Sequence, residues 1–123
     1  MAGIADAMLP KLLSSATLAN RADIVARVRE MMVNTKPEGA AAALRGMAER
    51  ADQTSFLNRI IAPALIIVGE HDEVTPLADA ETMHREIGGS RLEIIAGAGH
   101  VANIEQAAQF NQVLLKFLDD LNS

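Results

Sequence analysis

An aspartate and a histidine follow two apolar runs of the sequence, each close to the point where the run ends. Asp72 stands in the segment GEHDEVTP (69–76), and His100 closes the segment GAGH (97–100). A carboxylate that accepts a hydrogen bond from Nδ1 of a histidine fixes the tautomer and leaves Nε2 free as a general base. The two residues therefore predict an acid–histidine pair of the kind that activates a nucleophile.

Each residue also has an ordinary explanation. An aspartate between a strand and a helix is often only a helix cap, and a histidine after Gly-x-Gly can be an ordinary loop residue. The two residues lie 28 positions apart, in the right order and after successive predicted strands, which favours the acid–base pair. The other histidines, His71 and His84, are predicted to be structural or solvent-exposed.

A metal site is the alternative chemistry at the same segment. Glu70, His71, Asp72, Glu73 and His100 all belong to residue types that bind metal ions. Successive side chains of an extended segment point in opposite directions, so four in a row do not converge on one ion. We therefore predict neither a bound metal nor a cofactor.

The second half of the sequence predicts a parallel βαβα unit that positions this pair. Residues 63–68 are a continuous apolar run ended by Gly69, which is typical of a strand covered on both faces. The elements that follow are a helix over 77–87, a strand over 91–95, a loop over 96–103 and an amphipathic helix over 104–121. Loops after parallel strands lie at one edge of the sheet, so Asp72 and His100 are expected to be neighbours.

The first half of the sequence predicts helices only. The expected helical segments are 4–13, which Pro10 interrupts, 22–33, 40–50, which Pro37 precedes, and 54–60, which Thr54 caps. The predicted fold class is α/β, with N-terminal helices followed by the βαβα unit. We divide the chain into a helical segment, 1–59, and a βαβα segment, 60–123.

Composition excludes several classes of function. The formal charge of −5 and the lack of any basic run argue against nucleic-acid binding. No apolar run reaches the length of a membrane span, and residues 1–13 are a poor signal peptide, so no membrane partner is predicted. There are no cysteines, which rules out disulfides and a cysteine nucleophile and is compatible with the predicted cytoplasmic location.

Over residues 60–121 the sequence resembles the α/β-hydrolase superfamily. The resemblance rests on ALIIVG (64–69) running into Asp72 and Thr75-Pro76, on GAGH (97–100), and on Glu105 at the start of the last helix. It implies a partial α/β-hydrolase fold in which Asp72 is the triad acid and His100 the triad base. Residues 1–59 resemble part of the helical cap of this superfamily. The sequence as a whole resembles the 3-oxoadipate enol-lactonases and related small esterases. Ala107 departs from the family, which often has proline there, and affects helix geometry rather than chemistry.

The third triad member of the family is a serine in Gly-x-Ser-x-Gly that precedes the acid and the histidine. This sequence has no counterpart of that serine. The serines stand at positions 14, 15, 55, 90 and 123, all outside such a motif. The His-Gly-type oxyanion loop and the earlier strands of the family sheet are missing too. The resemblance therefore implies a C-terminal fragment of a serine-type α/β hydrolase, inactive alone, whose intact parent cleaves an ester or a lactone.

Two apolar strands without neighbours in sequence present an unpaired edge, and such an edge recruits another strand. We therefore predict a homo-oligomer that buries this edge, most simply a two-fold homodimer. The sequence leaves open whether Met1 is a natural start or a truncation boundary, and whether a separate chain supplies the nucleophile. The alternatives to a hydrolase fragment are a non-enzymatic oligomeric interaction module on the same fold and a metal-dependent enzyme.

Overall fold

The computed structural model describes residues 1–123 and begins with a layer of helices. These are α1 (Ala2–Leu12), α2 (Ser15–Asn20), α3 (Ala22–Val33), α4 (Pro37–Glu49) and a 3₁₀ helix (Thr54–Arg59). Helices α1 and α3 pack on each other around a buried cluster of Leu9, Leu13, Ile24 and Val28. Helix α4 buries none of its residues, and its Leu44 and Met47 are 65% and 59% exposed.

Two local predictions in this half were wrong. Pro10 does not interrupt the first helix but lies inside it, since burial of Leu9 and Leu13 holds both sides of the helix in place. Proline removes one backbone donor there, yet the helix continues to its C-cap, where Leu13 N donates to Leu9 O at 3.0 Å. Thr54 is not a cap, because it is the first residue of the 3₁₀ helix and Gln53 occupies the cap position; Thr54 N instead donates to Asp52 Oδ1 at 2.9 Å.

The predicted parallel βαβα arrangement is confirmed. Strands β1 (Leu65–Gly69) and β2 (Arg91–Ile95) pair in parallel, from Leu65 opposite Arg91 to Gly69 opposite Ile95. The connecting helix α5 (Leu77–Glu86) packs on one face of the sheet through Ala80. The C-terminal helix α7 (Ala107–Leu121) packs on the other face through Phe110 and Val113, against Ile67 and Ile95. Alternate side chains of β1 thus point to opposite faces of the sheet, as the pleat of a strand requires.

The long helix predicted over 104–121 is two helices. A short α6 (Ala102–Glu105) is separated from α7 by Gln106, whose backbone leaves the helical region at φ −134° and ψ 60°. The side chain of Glu105 is buried and hydrogen-bonded, which holds α6 against the helical layer. The apolar face of α7 must turn towards the sheet instead, so the chain bends between the two helices.

The helical layer and the βαβα segment meet where α1 ends. His100 N donates to Leu12 O at 2.8 Å, and Val101 and Ile104 pack against the buried cluster of α1 and α3. The loop that carries His100 is therefore supported from both halves of the chain. None of the helices has the length and apolar character needed to cross a membrane.

Candidate active site

The loops that follow β1 and β2 are joined by backbone hydrogen bonds. Glu70 N donates to Ile95 O at 3.0 Å, and His71 N donates to Ala98 O at 2.9 Å. The loops approach each other closely because Gly69 has no side chain: a Cβ atom there would lie 2.6 Å from Ala98 O. The ends of the two strands, with Asp72 and His100 beyond them, are therefore held together by main chain.

The Asp72 carboxylate accepts hydrogen bonds from several donors of its own loop. Oδ1 accepts from Val74 N and Thr75 N, both at 2.9 Å, and Oδ2 accepts from the Thr75 hydroxyl at 3.0 Å. The side chain is only 5% exposed. Burial raises the pKa of Asp72, but the bonds from Thr75 and His100 outweigh it and hold the pKa below its usual value. Asp72 is thus an ionised acceptor at neutral pH.

The His100 imidazole points its Nδ1 at this carboxylate. Nδ1 lies 3.0 Å from Oδ2 and 3.2 Å from Oδ1 of Asp72. Since an ionised carboxylate only accepts, the neutral imidazole carries its proton on Nδ1 and donates it to Asp72. Nε2 makes no hydrogen bond within the chain, and the side chain is one-third exposed, at 33%. Nε2 therefore has no partner within the chain, in a side chain that is partly exposed.

Thr75, which the resemblance included without a role, contacts both members of the acid–histidine pair. Its backbone and hydroxyl both bond to Asp72, and its Oγ1 lies 3.4 Å from Nδ1 of His100. The sequence signal of such a turn is an aspartate in a loop, because its carboxylate commonly binds the backbone N–H of residues that follow it. Thr75 therefore helps to orient the carboxylate that His100 contacts.

The other histidines and the buried serine lie elsewhere. His71 Nε2 contacts Glu70 Oε1 at 3.0 Å on an exposed surface, and His84 Nδ1 contacts Ser90 Oγ at 2.9 Å. Ser14 is 2% exposed, and its hydroxyl donates to a backbone carbonyl at 2.7 Å. No serine hydroxyl hydrogen-bonds to His100, and the chain contains no group of three or more His, Cys, Asp or Glu side chains that could hold a metal ion.

The three surface cavities of the chain do not include the acid–histidine pair. The first, of about 380 Å³, lies beside the start of the sheet and α7, where Leu65, Arg91 and Phe117 line it. The second borders the 3₁₀ helix, and the third, largely apolar, lies between α1, α3 and α4.

A parallel sheet with an acid and a histidine in successive loops is the C-terminal part of an α/β-hydrolase architecture. The sequence model of the family described as TAP-like protein matches residues 33–122. The chain therefore belongs to this family of the α/β-hydrolase superfamily.

Curated relatives and solved structures agree with this membership. The chain is 36% identical over 92 residues to 3-oxoadipate enol-lactonase 1 of Acinetobacter baylyi, a match covering 75% of the chain and 34% of the relative. A thermophilic esterase from Thermogutta terrifontis superposes with a TM-score of 0.94 at 35% identity, over 98% of this chain and 44% of the esterase. The enol-lactonase from Burkholderia xenovorans LB400 gives 0.89 at 30% identity, over 97% and 45%.

The chain spans about a third of the length of that curated relative and under half of those solved structures. Its fold is thus the corresponding portion of a larger hydrolase fold, matched over nearly all its own residues. The activities named for the relatives belong to proteins that contain further elements.

Proposed function

We propose that this chain supplies the acid and the general base of a hydrolase site that cleaves an ester or a lactone. The observation that carries the proposal is the Asp72–His100 contact of 3.0 Å combined with an accessible Nε2. The names of the relatives, an enol-lactonase and an esterase, support the substrate class. The nucleophile and the oxyanion donors come from residues outside this chain.

The proposed mechanism uses the two side chains in sequence. Nε2 of His100 takes the proton of an attacking hydroxyl group, and Asp72 stabilises the imidazolium that forms. The imidazolium then donates that proton to the leaving-group oxygen as its bond to the carbonyl carbon breaks, which leaves the acyl group on the nucleophile. Nε2 next takes a proton from a water molecule, which attacks the acyl group, and the imidazolium returns that proton to the nucleophile as the carboxylic acid leaves. Without a positioned hydroxyl at Nε2 there is no covalent intermediate, so the chain alone is expected to be inactive.

A chimera tests the proposed roles. The portion of the Thermogutta terrifontis esterase that superposes on this chain, 44% of that protein, would be replaced by residues 1–123. We expect the chimera to hydrolyse p-nitrophenyl acetate, and His100→Ala and Asp72→Asn to reduce kcat by at least about a hundredfold, as for loss of a general base. His71→Ala, which changes an exposed histidine of the same region, is the matched control and should retain activity.

Two outcomes would contradict the proposal. A folded chimera that keeps its activity after His100→Ala would show that another group acts as the base. A chimera that folds with the thermal stability of the parent esterase and yet has no activity would show that the pair does not serve a hydrolase site. The isolated chain should not exceed the slow rate of free N-acetylhistidine, since accessible imidazole alone has some reactivity towards this ester.

The open sheet supports a second candidate, an oligomeric interaction module without enzymatic activity. Strands β1 and β2 pair only with each other, so each has one edge without a partner in the chain. Several apolar side chains of the helices and of the segment before β1 are also exposed: Leu44, Met47, Ile61, Leu115 and Leu118. An unpaired strand edge and exposed apolar surface each favour association with another copy. We propose that the chain forms a homo-oligomer through this edge.

Light scattering coupled to size-exclusion chromatography tests the association. We expect a dimer or larger species at micromolar concentration, and a stable monomer would contradict the proposal. An oligomer combined with an inactive, folded chimera would favour the interaction module over the hydrolase fragment. The cytoplasmic location stays a prediction, to be tested by fractionating the source cells.

A further inference from the structure

Glu105 is a buried carboxylate that the proposed mechanism does not use. It lies in α6 with 2% of its surface exposed and forms no salt bridge. Oε1 accepts from Ser14 N at 2.8 Å and from the Thr17 hydroxyl at 2.9 Å, and Oε2 accepts from Gly99 N at 2.9 Å. A buried charge is costly unless it is hydrogen-bonded, and here three donors from two distant parts of the chain compensate it.

The donors lie on the two segments that hold His100. Gly99 immediately precedes the histidine, and Ser14 belongs to the α1–α2 junction, residues 12–14, which comprises the last residue of α1 and the two residues before α2. The junction also accepts the His100 N–H through Leu12 O at 2.8 Å. The two segments touch so closely that a Cβ on Gly99 would lie 2.8 Å from Leu12 O and 2.9 Å from Ser14 N.

We propose that Glu105 is a positioning residue for His100, which it sets against Asp72 by tying Gly99 to the α1–α2 junction. One oxygen holds the junction and the other holds the residue before the base. A displacement of α1 and α2 is therefore transmitted to the imidazole. The functional meaning of this inference rests on the proposed role of His100, but the mechanical link is a property of the chain alone.

Substitution Glu105→Gln separates positioning from packing, because glutamine has nearly the same shape. The glutamine oxygen can face Ser14 and Thr17, in which case its NH₂ group meets the Gly99 N–H, donor against donor. If the amide is flipped, Gly99 regains an acceptor and Ser14 N loses one. Either orientation breaks one of the links on which the position of His100 depends.

Nuclear magnetic resonance on the isotope-labelled chain gives the readout. In the wild type, the Nδ1 proton of His100, bonded to Asp72, should give a downfield resonance, and Asp72→Asn should shift or remove it. We expect Glu105→Gln to weaken or broaden this resonance and to accelerate hydrogen exchange of the Gly99 amide about tenfold or more, which corresponds to about 1.4 kcal/mol. Glu93→Gln, at an exposed glutamate of β2, is the matched control and should leave both signals unchanged.

A second variant covers the case in which Glu105→Gln does not fold. Thr17→Val removes one donor to Oε1 and leaves the Gly99 bond in place. If the junction and the histidine loop are linked, its Gly99 amide should still exchange about threefold faster, a smaller effect because two donors remain. A folded Glu105→Gln with unchanged Nδ1–H and Gly99 signals, or unchanged Gly99 exchange in Thr17→Val, would overturn the inference.

The catalytic readout then distinguishes this inference from the proposed function. In the active chimera, Glu105→Gln should lower kcat with little change in KM, since substrate binding is not altered. Glu105→Asp, which keeps the charge on a shorter side chain, should recover part of that loss. If the chimera is inactive although the resonance results are as expected, the hydrolase proposal fails and the positioning link stands.

Discussion

Substitution of Gly99 by alanine should destabilise the protein strongly, although it adds only one methyl group. The added Cβ would lie 2.8 Å from Leu12 O, 2.9 Å from Ser14 N and 3.0 Å from Leu13 C, all of them main-chain atoms. Main chain cannot rotate out of the way as a side-chain end can. The histidine loop and the α1–α2 junction must therefore move apart.

The magnitude follows from the contacts at this point. Overpacking in a well-packed region costs about 1–3 kcal/mol. Separation of the two segments also weakens the bond from Gly99 N to Glu105 and the bond from His100 N to Leu12 O, where a bond to a charged group contributes about 1.5–3 kcal/mol. Since moving apart relieves part of the overlap, the two costs do not add in full, and we expect a loss of about 3 kcal/mol.

Urea unfolding followed by far-ultraviolet circular dichroism measures this loss, because the chain has no tryptophan or tyrosine to report by fluorescence. With a slope of about 1.5 kcal/mol per molar urea, the midpoint should fall by about 2 M. All variants must be compared at one protein concentration, since self-association makes the midpoint depend on it.

Gly46→Ala is the matched control for this substitution. Gly46 lies inside α4 with no atom within 4 Å of the position of an added Cβ. Alanine there should raise the free energy of unfolding by about 0.5–1 kcal/mol through helix propensity and move the midpoint up by about 0.5 M. If Gly99→Ala unfolds within about 0.5 kcal/mol of the wild type, a value typical of neutral surface changes, the argument for tight main-chain contact is refuted.

Three further predictions concern the core, the acid and the surface. Ile95→Ala, at a fully buried residue with 0% exposure, should cost about 3 kcal/mol by leaving a cavity between β2 and α7, whereas a loss below about 1 kcal/mol would show that α7 collapses onto the gap. Asp72→Asn should cost about 2 kcal/mol at pH 7 through weaker hydrogen bonds. Because the native pKa of Asp72 is lowered, this difference should persist above about pH 4 and vanish as pH falls through the native pKa, and a pH-independent difference would contradict it. Arg29→Ala removes an exposed ion pair with Asp6 at 2.7 Å and should leave the urea midpoint unchanged within error at physiological salt, so a clear drop would indicate a role beyond that pair.

Local patterns of the sequence predicted most of the elements. The helix over 22–33 and the strand over 91–95 have the predicted bounds, since apolar periodicity and flanking glycine or polar residues define both. The apolar run before Gly69 likewise predicted β1, although the strand begins two residues later, at Leu65. The sequence indicates these elements because their hydrogen bonds, or the alternation of apolar and polar side chains, repeat within a few residues.

Local patterns failed where a distant contact decides the geometry. No residue near Gln106 indicates the bend between α6 and α7. The bend depends on the Glu105 carboxylate, which accepts from Thr17 and Ser14, 88 and 91 residues earlier in the chain. Helix α2 was not predicted either. Its cap, Ser14, accepts from Thr17 N at 3.1 Å, and the same hydroxyl donates to Gly97 O, 83 residues later in the chain. Pro10 inside α1 follows the same rule, because packing outweighs the loss of one backbone bond.

The amino-acid sequence predicted the acid–histidine pair, because Asp72 and His100 each follow an apolar run that indicates a strand. The contacts that hold the pair became evident only from the folded chain: Thr75 orients the Asp72 carboxylate, and Glu105 joins the histidine loop to helices at the other end of the chain. The difference lies in the range of the interactions. Strand and helix patterns are set by neighbours, whereas the position of a side chain to within a hydrogen-bond length depends on segments that meet only when the chain has folded.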